Sequence, residues 1–138
     1  MKSLSVLIFE DNALLRESIS SLITAKPEMT LLGAFENVLT VKDQVNTHKP
    51  ELILMDIDMP GRSGIEAVKE IRQSNIQTPI IMLTVFDDNT HVLDAIRAGA
   101  SGYLLKKHLS TKLYDSIEEV LAGGAPMSPS VARMVIAS

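Results

Sequence analysis

Five short apolar runs alternate with five helix-patterned segments along this chain of 138 residues, and that alternation constrains its fold more than any other feature. The runs are Leu4–Phe9, Thr30–Phe35, Leu52–Asp56, Pro79–Thr84 and Gly102–Leu105. Such short, continuously apolar stretches read as strands buried on both faces. Between them apolar residues recur at helical spacing. Leu15, Ile19, Leu22 and Ile23 follow the first run, and Val38, Val41 and Val45 follow a cap at Asn37. Ile65, Val68 and Ile71 follow a Ser63/Glu66 capping box, and Val92, Leu93 and Ile96 follow a start at Asn89 or Thr90. Leu113, Ile117, Val120 and Leu121 follow Ser110. Strict alternation predicts an α/β fold, with a five-stranded parallel sheet, right-handed crossovers and helices on both faces.

The doubly wound order expected is the flavodoxin-like 2-1-3-4-5, which makes strands one and three neighbours and opens a crevice at their carboxyl ends. Glu10 and Asp11 end strand one, and Asp56 ends strand three just before the Pro60-Gly61 stop. Three carboxylates meeting there repel one another unless a positive charge neutralises them. A hard divalent cation does this, and Mg²⁺ takes one or two carboxylates, a carbonyl and several waters. Asp11 and Asp56 are the expected direct ligands, Glu10 acts through water, and Asp58 offers its backbone carbonyl. Thr84 and Lys106 end strands four and five. A hydroxyl and an ammonium beside a metal-bound carboxylate suit a phosphoryl group carried on Asp56. Taken singly, an acidic pair, a threonine or a lysine at a strand end is an ordinary cap or surface residue. Four strand ends carrying complementary groups are not ordinary.

The net charge of -4 argues against this chain gripping nucleic acid by itself. With no cysteine, disulfide frameworks and thiolate metal sites are excluded. The first apolar run is too short for a signal-peptide core or a membrane span, so a soluble cytoplasmic protein with no membrane partner is expected. His48, His91 and His108 have no ligand-like spacing and are expected at the surface.

The segments Ile8-Phe9-Glu10-Asp11-Asn12, Asp56-Ile57-Asp58-Met59-Pro60-Gly61 with Gly64, Leu83-Thr84, and Gly99 to Lys106 together resemble the receiver domain of two-component response regulators. Gly99 to Lys106 and the tail from Gly123 to Arg133 are similar to the LuxR-type (NarL/FixJ) subclass. The resemblance implies Asp56 as phosphoacceptor, Glu10 and Asp11 as the acidic pair, Thr84 as switch hydroxyl, Tyr103 as switch aromatic and Lys106 as the site lysine. It implies a sensor histidine kinase as donor, Mg²⁺ as cofactor, a homodimer on phosphorylation, and positions Asp58 and Phe86 as tuners of phosphoryl lifetime. It also implies that the Tyr103 ring turns inward when Thr84 moves toward a phosphoryl group. Residues 1–122 are then the receiver, and 123–138 a linker, outside the core, toward a helix-turn-helix domain not in this chain; DNA is reached only through that domain. The alternatives are a stand-alone receiver, and a haloacid-dehalogenase-type phosphatase, in which the acidic pair would follow the lysine instead of preceding Asp56. One departure is Lys107, where the family often has proline after its lysine. A trans bond and an altered loop into the last helix are expected there.

Overall fold

A computed structural model describes residues 3–85 and 88–138. The strands are β1 (Leu4–Phe9), β2 (Met29–Phe35), β3 (Leu52–Asp56), β4 (Ile80–Thr84) and β5 (Gly102–Leu105). The helices are α1 (Ala13–Thr24), α2 (Val41–His48), α3 (Gly64–Gln73), α4 (Asn89–Ala98), α5 (Leu109–Leu121) and α6 (Pro129–Ala137). All neighbouring strands are parallel, in the expected order β2-β1-β3-β4-β5. No helix among the described residues is long and apolar enough to cross a membrane.

Alternation along the strands divides the core into two layers. Leu7, Phe9, Ile53, Met55, Met82 and Tyr103 pack with Val41 and Val45 of α2, Val68 and Ile71 of α3, and Val92 and Ala95 of α4. Val6, Ile8, Leu52, Leu54, Ile81 and Leu83 pack with Ile19 and Ile23 of α1 and with Leu113 and Ile117 of α5. β3 and β4 are buried along their whole length, as continuous apolar runs require. Polar groups in these strands can therefore stand only at the ends.

The Ser63/Glu66 capping box forms as expected, with the Ser63 side chain accepting from the Glu66 N–H. Two other helix starts differ from the sequence reading. Asn37 does not cap α2; its Oδ1 accepts from the Leu39 N–H, making a local turn, and α2 begins after Thr40 with no side-chain cap. α4 opens at Asn89 as expected, with Asp88 as its cap, accepting from the His91 N–H. α5 starts at Leu109, before Ser110, because the 3-10 turn Lys106–His108 already carries the chain into the helix. There are no cis peptide bonds, so the Lys106–Lys107 link is trans among otherwise trans links in the described residues.

The tail folds as a helix begun by Ser128-Pro129, with Ser128 Oγ accepting from the Val131 N–H. Its position corrects the expectation that it stays outside the core. α6 packs against α4, Val131 is fully buried, and Met127, Met134 and Val135 lie against the same core layer. Val131, Met134 and Val135 form one apolar face, and the edge beside β5 has room to bury it.

At the amino end of the sheet, Arg72 of α3 ties its helix to the α3–β4 and α4–β5 connections. Its Nε donates to the Gly99 carbonyl at 3.0 Å, and Nη1 to the Ile76 and Thr78 carbonyls at 2.8 Å each. Nη2 reaches Ser101 Oγ at 3.5 Å. Burial pulls the guanidinium below its ordinary pKa, yet its bonds run to carbonyls and a hydroxyl. Replacing it by Met leaves those acceptors without their donor. Arg72→Met is expected to cost about 3 kcal/mol, since bonds from a charged donor contribute about 1.5–3 kcal/mol each and partly compensate when lost together. Urea unfolding checks this, and a loss below about 1 kcal/mol would show that the clamp contributes little.

Candidate functional site

At the opposite end of the sheet the carboxyl termini of β1, β3 and β4 meet the start of the 3-10 turn. β1 pairs with β3 from Val6↔Leu52 to Phe9↔Met55, so Glu10 and Asp11 leave β1 beside Asp56. One carboxylate oxygen of each of Glu10, Asp11 and Asp56 lies within 4.8 Å of the others. Glu10 and Asp56 are buried, while Asp11 is exposed. Lys106 reaches in from the end of β5, its Nζ 2.9 Å from Glu10 Oε1 and 3.2 Å from Asp56 Oδ1.

Backbone contacts hold this constellation. The Asn12 N–H donates to Glu10 Oε2 at 3.1 Å, and Asn12 in turn caps α1. Arg16, one turn into α1, donates from Nη1 to the Glu10 carbonyl at 2.8 Å and the Asp11 carbonyl at 3.3 Å. The Gly64 N–H donates to the Ile57 carbonyl at 2.7 Å, and a Cβ on Gly64 would collide with the Asp56 carbonyl. α3 can therefore start against the end of β3 only with glycine there. Arg16 and the steric role of Gly64 went unassigned in the sequence reading.

Three carboxylates face one ammonium. Burial and the neighbouring Glu10 charge push the Asp56 carboxyl up to about 7, against the opposing pull of Lys106. Burial alone would lower the Lys106 ammonium, but the Glu10 and Asp56 carboxylates outweigh it and raise its pKa. Asp56 Oδ2 is buried and meets no hydrogen-bond donor among the described residues. An all-oxygen donor set with surplus negative charge and an orphaned buried oxygen fits a hard divalent cation such as Mg²⁺.

Thr84 is buried at the end of β4, and with Val85, Leu105, Lys106 and Lys107 it lines a cavity of about 160 Å³. β4 pairs with β5 as Met82↔Tyr103 and Thr84↔Leu105, so Tyr103 sits on the same sheet face as Thr84, one diagonal step away. The Tyr103 side chain is 2% exposed. Asp58 lies beyond β3 and is exposed, outside the three-carboxylate group. Phe86 lies outside the described residues. His48, His91 and His108 are partly exposed, away from the carboxylates.

Residues 6–118 match the response regulator receiver domain. The chain is 38% identical over 131 residues to the transcriptional regulatory protein YxjL of Bacillus subtilis (strain 168), covering 95% of this chain and 60% of that one. It is 31% identical over 133 residues to the transcriptional regulatory protein DegU of Brevibacillus brevis, covering 96% and 56%. This chain therefore spans less than two thirds of the length of these relatives. Among solved structures, a LuxR-family two-component response regulator from Aurantimonas sp. SI85-9A1 superposes with a TM-score of 0.89 at 29% identity, covering 98% of this chain and 96% of that one.

The raised Asp56 pKa sets a pH dependence. Between the ordinary value of 3.8 and about 7 the folded chain keeps a proton that the unfolded chain releases. The contribution of Asp56 to stability is full below the lower value and is lost as pH rises through the upper one. With a chelator present, Asp56→Asn is expected to melt higher than wild type at about pH 8, the gap closing toward about pH 4. Thermal melts across that range check it; a gap that widens on acidification would reverse the sign.

Proposed function

The chain belongs to the response regulator receiver domain family, and from that premise we propose that Asp56 accepts a phosphoryl group from the phosphohistidine of a sensor histidine kinase, with Mg²⁺ as cofactor. The family is a signalling receiver and not a dedicated enzyme. The observation that carries the reading is the convergence of Glu10, Asp11 and Asp56 around Lys106, with one Asp56 oxygen buried and unpartnered.

In the transfer an ionised Asp56 oxygen attacks phosphorus, the P–O bond forms, and the P–N bond to the kinase histidine breaks with its electron pair leaving on the imidazole. Asp11 and Asp56 are the ligands proposed to hold Mg²⁺ directly, with Glu10 through water and the Asp58 carbonyl as a further donor. When bound, Mg²⁺ offsets carboxylate repulsion and neutralises charge on the phosphoryl oxygens. Its charge also favours the ionised Asp56 that attack requires, against the burial that holds its pKa up. Lys106 can pair with the new phosphoryl oxygens, already being within salt-bridge distance of Asp56. The Thr84 hydroxyl supplies an uncharged donor from the adjacent strand. By resemblance to the family, Asp58, two residues past the acceptor, and Phe86 are the positions proposed to tune the phosphoryl lifetime.

Readout runs from Thr84 to Tyr103 on the α4–β5–α5 face. A homodimer on phosphorylation is part of the same proposal, and control of transcription through a DNA-binding domain reached by residues 123–138 fits the names and greater length of the relatives. The chain itself has a net charge of -4 and suits no nucleic-acid contact.

Intact mass after treatment with acetyl phosphate and Mg²⁺ tests the central claim. One hydroxylamine-labile phosphoryl group is expected on wild type and none on Asp56→Ala; label on the variant, or label formed without divalent cation, would sink the reading. Asp11→Ala is expected to weaken Mg²⁺ binding more than Glu10→Ala does, because a direct ligand contributes more than one acting through water. Calorimetric Mg²⁺ titration separates the two.

A further inference from the structure

We propose that Lys107 recruits the phosphoryl donor: its ammonium turns the mouth of the Asp56 site positive once a divalent cation is bound, and so draws in donors that carry a phosphoryl dianion. The inference rests on the phosphoacceptor reading of Asp56 and assigns that site a residue outside its ion-paired set.

Lys107 lines the cavity of about 160 Å³ together with Thr84, Val85, Leu105 and Lys106. The backbone explains why two consecutive lysines share it. Along a strand successive side chains leave on opposite faces, so β5 continued past Leu105 would send one lysine to each side. The chain instead turns at once into the 3-10 helix Lys106–His108, where successive side chains stand about 120° apart. The two ammonium groups are committed differently. Lys106 Nζ lies 2.9 Å from Glu10 Oε1 and 3.2 Å from Asp56 Oδ1. Lys107 is exposed and pairs with none of the described carboxylates.

The charge balance gives that uncommitted ammonium its effect. Glu10, Asp11 and Asp56 carry three negative charges when ionised. A bound divalent cation and Lys106 bring the group to neutrality. Of the flanking residues, Arg16 and Asp58 have opposite signs. A phosphoryl dianion would then meet a site with no net attraction for it. Lys107 adds one positive charge at the cavity, and the apolar Val85 and Leu105 walls keep its field from being wholly dissipated in water. The cavity is about half the volume of the smaller pockets that hold drug-sized ligands, about 300 Å³, so it suits a small anion.

With acetyl phosphate as donor, the ionised Asp56 oxygen attacks phosphorus, the bond from phosphorus to the acetyl oxygen breaks, and acetate leaves with the electron pair. Lys107 takes no part in those bonds and acts on the approach. Its charge works with opposite sign on the two ligands of the site: it attracts the phosphoryl anion and repels Mg²⁺. A residue that merely supported the loop would affect both in the same direction when replaced.

Labelling by acetyl phosphate at saturating Mg²⁺, affinity for beryllofluoride (a phosphoryl mimic) and affinity for Mg²⁺ are measured on Lys107→Ala, Lys107→Glu and Lys107→Arg. At limiting acetyl phosphate and low salt, Lys107→Ala is expected to label roughly threefold more slowly and Lys107→Glu roughly tenfold, the effect of one and two unit charges on a dianion several ångströms away in a solvated site. Lys107→Arg, which keeps the charge, should match wild type. The differences should shrink as salt is raised toward about 1 M. Beryllofluoride affinity should fall in the same order, while Mg²⁺ affinity rises. Equal labelling by Lys107→Glu and wild type, or Mg²⁺ affinity that falls together with the labelling rate, would overturn the role of Lys107 and leave the acceptor reading standing. Failure of wild type both to label and to bind beryllofluoride would instead bring down the acceptor reading and this inference with it.

Discussion

Glu10, Asp56 and Thr84 are three of the four buried polar or charged residues among those described, and all three stand at the carboxyl end of the sheet. Their burial is tolerable because Lys106 lies between the two carboxylates at 2.9 and 3.2 Å. One ammonium cannot balance three carboxylates, and that deficit organises the rest. Together with burial, the larger cause, it raises the Asp56 pKa; it also makes the site, where one oxygen lacks a donor, a receptor for further positive charge. The two-layer core matters to function chiefly because it excludes water from one side of this group. The surrounding loops matter because Arg16, Asn12 and Gly64 fix the backbone from which the carboxylates project.

Much of this was legible before any coordinates. The order of the strands follows from alternation and crossover handedness, and the order alone brings residues 10, 11, 56 and 106 together. The Ser63/Glu66 box was legible because both of its bonds are local. Other helix starts were misread for a common reason. Asn37 and Ser110 are good capping residues by type, but the cap belongs to whichever residue the preceding loop delivers in extended conformation. Asp88 has that conformation before α4, and a continuous 3-10 turn before α5 leaves no place for a side-chain cap.

The tail shows a different limit. Ser128-Pro129 and the Val131–Met134–Val135 face were enough to foresee a short helix. They carry no information about which surface receives it. That depends on the unpaired side of β5 and on the gap at Gly102, and neither exists until the sheet is assembled. Arg72 was silent for a similar reason. Its carbonyl acceptors lie in two segments, the α3–β4 loop and the end of α4, and carbonyls leave no mark on side-chain pattern.

Arg72 and Lys106 hold opposite ends of the same sheet, and they do so by different chemistry. The guanidinium bonds to carbonyls whose character does not change with pH. The ammonium faces carboxylates whose charge does. The two ends are therefore exposed to selection through different traits. Loss at the Arg72 end lowers the fraction of chains that are folded, and so the number of receivers in a cell, while each survivor still answers its stimulus normally. Change at the Lys106 end shifts the charge balance of the three-carboxylate group, and with it both stability and affinity for further positive charge. A lineage can retune its response at the mouth of this sheet as long as the floor stays clamped.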